Sequence, residues 1–250
     1  SLRRYNGPLC SIYVLLLSIA ACGGNAVSQE RPLTSDEASF LAEVLSRNYE
    51  AGGASFRLSA PAGMEGGTIT IEGDIDWVNH QGGARVLGGA KPHPVAQVWW
   101  NQKTVGERRP TLDREILTRF PEMKNPILAR PPDTSKRRLD QLLAIITGLV
   151  SKTPENSQLI LQTEGSAFVR KDVLRERGVL VVRYGKRTTF WLDEESKELL
   201  RFEGSDSTSQ FPVVIDFFQL GQRNLSLPRD VQVVNLPDHA ELSAMVPSSP

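Results

Sequence analysis

Hydrophobic and polar residues change period along the chain, and each change marks an element. Thr34-Ser35-Asp36-Glu37 is a capping box, with Thr34 placed to accept from the Glu37 amide. Phe40, Leu41, Val44, Leu45 and Tyr49 then recur at helical spacing until Gly52-Gly53. This predicts an amphipathic helix with a glycine stop. From Ser55 the period falls to two. Residues 55–60 predict a short strand. Over residues 68–77, Ile69, Ile71, Ile75 and Trp77 share one face, while Thr68, Thr70, Glu72, Asp74 and Asp76 share the other. Gly73 interrupts the apolar row, as a bend or bulge would. Residues 84–87 and 95–100 complete a meander.

The middle of the chain returns to helical spacing. Residues 111–120 predict one helix, ended by Pro121. Pro131-Pro132-Asp133-Thr134 predicts the opening of another, with Leu139, Leu142, Leu143, Ile146, Leu149 and Val150 as its apolar positions. Such a helix is apolar around much of its circumference and is expected to be buried on more than one side. Strands are predicted again at 167–172, 179–184, 188–193, 199–203 and 213–218. Tyr184-Gly185-Lys186-Arg187 and Asp193-Glu194-Glu195-Ser196-Lys197 read as hairpin turns. The order is helix, strands, helices, strands. Short turns between sequential strands predict antiparallel pairing, so the class is α+β.

The first 21 residues follow a different logic. Arg3 and Arg4 precede a mostly apolar run from Leu9 to Ala21. A bilayer-spanning helix needs about 20 apolar residues, and this run is shorter. It reads as a signal peptide with a small-residue cleavage site. The segment Leu17-Ser18-Ile19-Ala20-Ala21-Cys22 resembles the lipobox of bacterial lipoproteins, which implies cleavage before Cys22 and an acylated thioether on it. Several acyl chains on one residue make a stable anchor, whereas one holds only marginally. The expected organisation is a signal peptide (1–21), a tether (22–33), one domain (34–240) and a loose tail (241–250). Cys10 leaves with the signal, so no cysteine remains in the folded part for a disulfide, a metal site or a thiol nucleophile.

Charge narrows the functional classes. The chain has 29 basic and 29 acidic residues; loss of Arg3 and Arg4 leaves 27 basic and a formal charge of −2. No nucleic-acid partner is expected from that balance. His80, His93 and His239 are scattered without metal-ligand spacing, so no metal is expected. No Gly-x-Ser-x-Gly elbow or phosphate loop is present in the sequence. No catalytic residue and no cofactor are expected, and the chain reads as no enzyme. Glu72, Asp74 and Asp76 on one strand face fit a solvated surface, with a cation site as the alternative. The aromatic pairs Trp99-Trp100 and Phe190-Trp191 put a large ring on each sheet face, and one of those faces then needs cover, a partner or a membrane.

The segment from Arg187 to Gly204, RTTFWLDEESKELLRFEG, is a strand ending Trp-x-Asp, a tight turn and a strand carrying Leu-x-Arg. It resembles the hairpin of LolA/LolB-like proteins and of LppX/LprG-type actinobacterial lipoproteins. The resemblance implies a strongly curved antiparallel half-barrel with helices on its concave face and an apolar cavity between. It also implies a lipid or acyl-chain ligand, carried in the cell envelope, on a protein held at the outer face of the cytoplasmic membrane. The expected cavity lining is Ile69, Ile71, Ile75, Trp77, Leu139, Leu142, Leu143, Ile146, Phe190 and Leu192. The alternative within the same fold is an envelope-stress regulator that binds a protein partner of the anti-sigma type and carries no lipid.

Overall fold

In the computed structural model, residues 30–62, 67–88, 93–205 and 212–247 are described. The expected signal peptide and the expected lipidation site Cys22 lie outside these residues. Helix α1 (Ser35–Ala51) opens on the predicted capping box: the Glu37 amide donates to Thr34 Oγ1 at 3.2 Å, and the Thr34 amide donates to a Glu37 carboxylate oxygen at 2.9 Å. It ends at Gly52, whose φ of +88° reverses the chain.

Six strands follow in two runs: β1 (Gly53–Pro61), β2 (Thr68–Asp76), β3 (Gln81–Gly88), β4 (His93–Trp100), β5 (Val105–Arg108) and, after helix α2 (Pro110–Arg119), β6 (Pro126–Arg130). Helices α3 (Arg138–Gly148) and α4 (Ser157–Gln162) lead to β7 (Ala167–Leu174), β8 (Arg177–Tyr184), β9 (Thr188–Asp193), β10 (Leu199–Gly204) and β11 (Val213–Leu220). Strand β12 (Gln232–Asn235), a 3-10 turn (Leu236–Asp238) and helix α5 (Ala240–Ser243) complete the order. The twelve strands among the described residues form one open sheet in the order β12-β6-β5-β4-β3-β2-β1-β11-β10-β9-β8-β7.

The α+β class and the curved half-barrel hold. Phe56 on β1 and Trp100 on β4 are three strand spacings apart, about 14 Å on a flat sheet. Their rings lie 6.4 Å apart, because the Trp100 indole reaches across Gly82 on β3 and the sheet curls toward its inner face. The sheet is not wholly antiparallel, however: β12 runs parallel to β6. It arrives over a long connection rather than a hairpin, which leaves the parallel direction open. Gly73 is not a bulge. It pairs in register with Phe56 and Ala84, and a Cβ there would lie 2.1 Å from the Gly83 carbonyl. Close approach of backbones in the curled sheet is what requires glycine. Helix α3 begins at Arg138, after the Pro131-Pro132-Asp133-Thr134 opening. The Asp133 carboxylate accepts from the Ser135 and Lys136 amides and holds a turn there first.

Two boundaries shift. The tether was expected to run to residue 33, but Leu33 is buried and Arg31 pairs backbone to backbone with Phe168. The tail was expected from residue 241, but Leu242 and Val246 are buried with Ile116, Leu128, Val234 and Leu236 in a second core. This core covers the β6–β12 edge, whose apolar side chains would otherwise face water.

The hairpin that carries the family resemblance is explained by ordinary forces. Trp191 and Arg201 are direct cross-strand partners, with the guanidinium 5.2 Å from the ring. Arg170 lies 5.0 Å from the same ring, so the outer-face tryptophan is covered by two cations. Arg201 also pairs with Asp216 at 2.8 Å. Asp193 caps the turn, accepting from the Ser196 and Glu195 amides at 2.7 and 3.0 Å and from Arg177 Nε at 2.8 Å. Burial alone would raise the Asp193 pKa, but the Ser196 donors, Arg177 and the Glu195 amide outweigh it and hold it below the usual value. A carboxylate depressed in the fold stabilises above its unfolded pKa of about 4 and loses that contribution as pH falls through the lower folded value. Asp193→Asn should therefore be less stable than wild type at neutral pH. The gap in urea midpoints should close on acidification below about pH 4; a gap independent of pH would exclude this charge effect.

Candidate functional site

Helix α3 lies in the concavity of the sheet and fills its centre. Trp77 Nε1 donates to the Ile146 carbonyl at 3.1 Å, Trp100 Nε1 to Thr147 Oγ1 at 2.9 Å, and Asn48 Nδ2 to the Leu149 carbonyl at 2.7 Å. Two of these donors reach backbone carbonyls in the last turn and cap of the helix, where intrahelical partners run short, and the third reaches a side-chain hydroxyl there. Trp100 lies flat across Gly82, where a Cβ would come within 2.0 Å of the indole.

The other end of α3 is held by charge. Arg130 donates to both Asp140 oxygens at 2.6 and 2.9 Å and to Glu107 at 3.2 Å. The Asp133 amide adds a bond to Asp140 at 2.6 Å, and Arg109 lies 3.5 Å from Glu107. All four charged side chains are buried. Burial by itself would lower the Arg130 pKa; the Asp140 carboxylate and the charge of Glu107 overcome it and raise it. Nothing in the helical or strand periodicity signals this network. Its one trace is Asp140 within an otherwise apolar helical stripe.

The expected lining is packed core. Ile69, Ile71, Ile75 and Trp77 are at most 2% exposed and face α3 and its neighbours. Leu139, Leu142 and Ile146 are buried from the helix side, and Phe190 and Leu192 from β9. Phe190 sits edge-on to Phe202 at 5.5 Å. Only Leu143 among the ten borders a described groove. The physical reason is volume: α3 itself occupies the space that an enclosed cavity would need.

Open grooves flank the helix instead. One, of 370 Å³, runs along the β4–β5 side between Trp100, Val105, Leu143, Thr147 and Val150, with His80, Asn101 and Asp140. The other, of 620 Å³, runs along the β10–β11 side between Arg138, Gln141, Ile145, Phe202 and Val213. Ala144 borders both. Both volumes fall within the range of about 300–1,000 Å³ typical of small-ligand sites. A smaller hollow of 160 Å³ lies on the outer face beside Trp99, Ile127 and Val233. Trp100 also borders this hollow, but the two indoles lie on opposite faces: Trp100 covers Gly82 and Trp99 covers the adjacent Gly83, as the alternation predicts.

The acidic row on β2 does not converge. Glu72 is held by Arg57 at 2.6 Å and Arg85 at 2.7 Å; burial alone would raise its pKa, and the two guanidiniums lower it. Asp74 accepts from Ser55 Oγ at 2.6 Å. Asp76 is buried rather than solvated, and accepts from the Asn79 amide and side chain in the turn after β2. Among the described residues no group of three or more His, Cys, Asp or Glu could hold a metal ion.

No family model matches the chain, and no curated protein matches it. Solved structures of similar fold include LprF from Mycobacterium bovis, 13% identical over 80% of this chain and 99% of that one, with a TM-score of 0.47. A putative outer membrane lipoprotein-sorting protein domain from Vibrio parahaemolyticus is 7% identical over 74% and 92%, with a TM-score of 0.30. The MucA/MucB complex from Pseudomonas aeruginosa is 13% identical over 78% of this chain and 58% of the matched one, with a TM-score of 0.30. The reading of the site rests on this chain's own geometry.

Proposed function

We propose that the chain is an envelope lipoprotein, anchored through acylated Cys22, that binds one apolar chain of an amphiphile in the grooves beside α3. The carrying observation is the pair of grooves of 370 and 620 Å³ that straddle one helix and meet at Ala144. Burying about 12 methylenes is worth about 10 kcal/mol at ~0.8 each, enough to hold a single chain against water. The filled interior disfavours an enclosed two-chain lipid. Binding, with no catalytic step, is the activity this supports.

The experiment uses Cys22→Ala protein and a fluorescent fatty acid, together with mass spectrometry of copurified lipid. Ala144 is exposed at the rim the two grooves share, so Ala144→Trp should leave stability near wild type while placing a bulky ring across that rim. Its affinity should fall about tenfold or more. Absence of any bound or exchangeable lipid would refute the reading. The packed centre favours a second reading, a regulator whose α3 face meets a protein partner. In that case lipid binding is absent and Ala144→Trp changes only protein association.

A further inference from the structure

The chain enters the fold through a clamp. Arg31 and Phe168 exchange two backbone hydrogen bonds, of 3.0 and 2.9 Å, at the start of β7. Glu30 pairs with Arg183, and Arg31 reaches both Glu37 oxygens at 2.7 and 2.8 Å. The Arg31 guanidinium sits 4.2 Å from the Phe168 ring centre. The point at which the tether leaves the domain is therefore fixed at one end of the sheet.

That end is identifiable from register. The start of β7 lies beside the β8–β9 turn, where Tyr184 pairs with Thr188. Thr188 pairs with Gly204 and Gly204 with Val213, so β10 and β11 turn at the same end. The β1–β2 and β3–β4 connections follow Pro61↔Thr68 and Gly88↔His93, again at this end. The 620 Å³ groove includes Thr188, Gly204 and Val213 in its walls. The 370 Å³ groove lies toward the opposite end, where Trp100 pairs with Gly82.

We propose that this clamped end of the sheet faces the membrane, so that the larger groove opens onto the phospholipid surface while the smaller one points away. The inference rests on the reading of Cys22 as the anchor. Eight residue steps separate Cys22 from Glu30, at most about 29 Å of fully extended chain. The opposite end of the eight-residue strand β8 lies about 23 Å farther from the clamp. Only a nearly taut tether doubled back along the sheet would bring that end to the bilayer. At any shorter reach the clamped end meets it first, and a lipid chain would pass into the larger groove without crossing water.

The test uses the full acylated protein in vesicles of phosphatidylethanolamine and phosphatidylglycerol that carry a headgroup-linked fluorescent acceptor. Arg187→Cys and Glu195→Cys place a thiol-linked donor just beyond either end of β9, both at exposed positions. The acylated Cys22 sulfur does not react. Transfer from position 187 should exceed that from 195 by about twofold or more, given roughly 20 Å of strand between them. Equal or reversed transfer on vesicle-bound protein overturns the orientation alone. Flotation of wild type beside Cys22→Ala separates the two ideas: association that does not depend on Cys22 overturns the anchor reading and this inference with it.

Discussion

Replacing Asp140 with alanine is expected to destabilise the protein by about 3–5 kcal/mol, the cost of leaving a buried charge unpaired. The carboxylate takes three hydrogen bonds, two from Arg130 and one from the Asp133 amide, and its side chain is wholly buried. Without it, Arg130 keeps a 3.3 Å bond to the Pro131 carbonyl, and its only remaining anionic partner is Glu107 at 3.2 Å, which already serves Arg109. Two buried guanidiniums would then share one carboxylate. The network is not fully satisfied even in wild type: Glu107 Oε2, Arg109 Nε and Arg130 Nε lack hydrogen-bond partners. Its net contribution is therefore small compared with the cost of breaking it. The double variant Arg130→Met with Asp140→Leu should recover much of the loss of the single change. Urea unfolding of the three proteins checks both statements. A loss below about 1 kcal/mol for Asp140→Ala would mean that water or local rearrangement satisfies Arg130.

Trp77→Ala should cost a similar amount, about 3–5 kcal/mol, by a different mechanism. Trp77 has no exposed surface, lies 5.5 Å from the Phe217 ring and is among the largest side chains in the main core. Its removal opens a cavity directly under α3. Trp77→Phe separates packing from hydrogen bonding, because it keeps most of the ring and deletes the bond to the Ile146 carbonyl. That carbonyl also accepts from the Leu149 amide at 3.3 Å, so the phenylalanine variant should lose only about 1–2 kcal/mol. Denaturant midpoints give the order wild type, Trp77→Phe, Trp77→Ala. If the phenylalanine variant fell as far as the alanine one, the indole bond rather than the buried volume would be what fixes the helix.

These two changes act at opposite ends of α3, and the difference bears on function. Loss of the Asp140 contacts frees the end that borders both grooves through Thr134. Loss of Trp77 loosens the end beside Trp100 and Thr147. On the proposed reading α3 has to be held firmly enough to keep the grooves open, and these latches supply that hold.

Much of the fold was legible in local pattern. The Thr34–Glu37 box, the Gly52 stop, the alternation through Ile69 and Ile71, and the hairpin at Asp193 depend on neighbours within a few residues. The β7–β8 turn was less so: Arg175 and Glu176 both adopt positive φ, +51° and +63°, without the Asn-Gly signal such turns favour. Strands β5, β6 and β12 were missed because four or five residues are too few to display a period. The apolar residues expected to line a cavity are buried in the main core, because what packs against them comes from segments distant in sequence.

The sequence alone determined the helix–strand–helix–strand order, the inward faces of β2, β9 and α3, and the absence of cysteine chemistry after residue 22, since each follows from residue type and short-range spacing. The tertiary structure decided what occupies the concavity, where the usable grooves lie, the parallel course of β12 and the pairing of Arg130 with Asp140. Those depend on how residues distant in sequence share volume and compensate buried charge, and no local period encodes either.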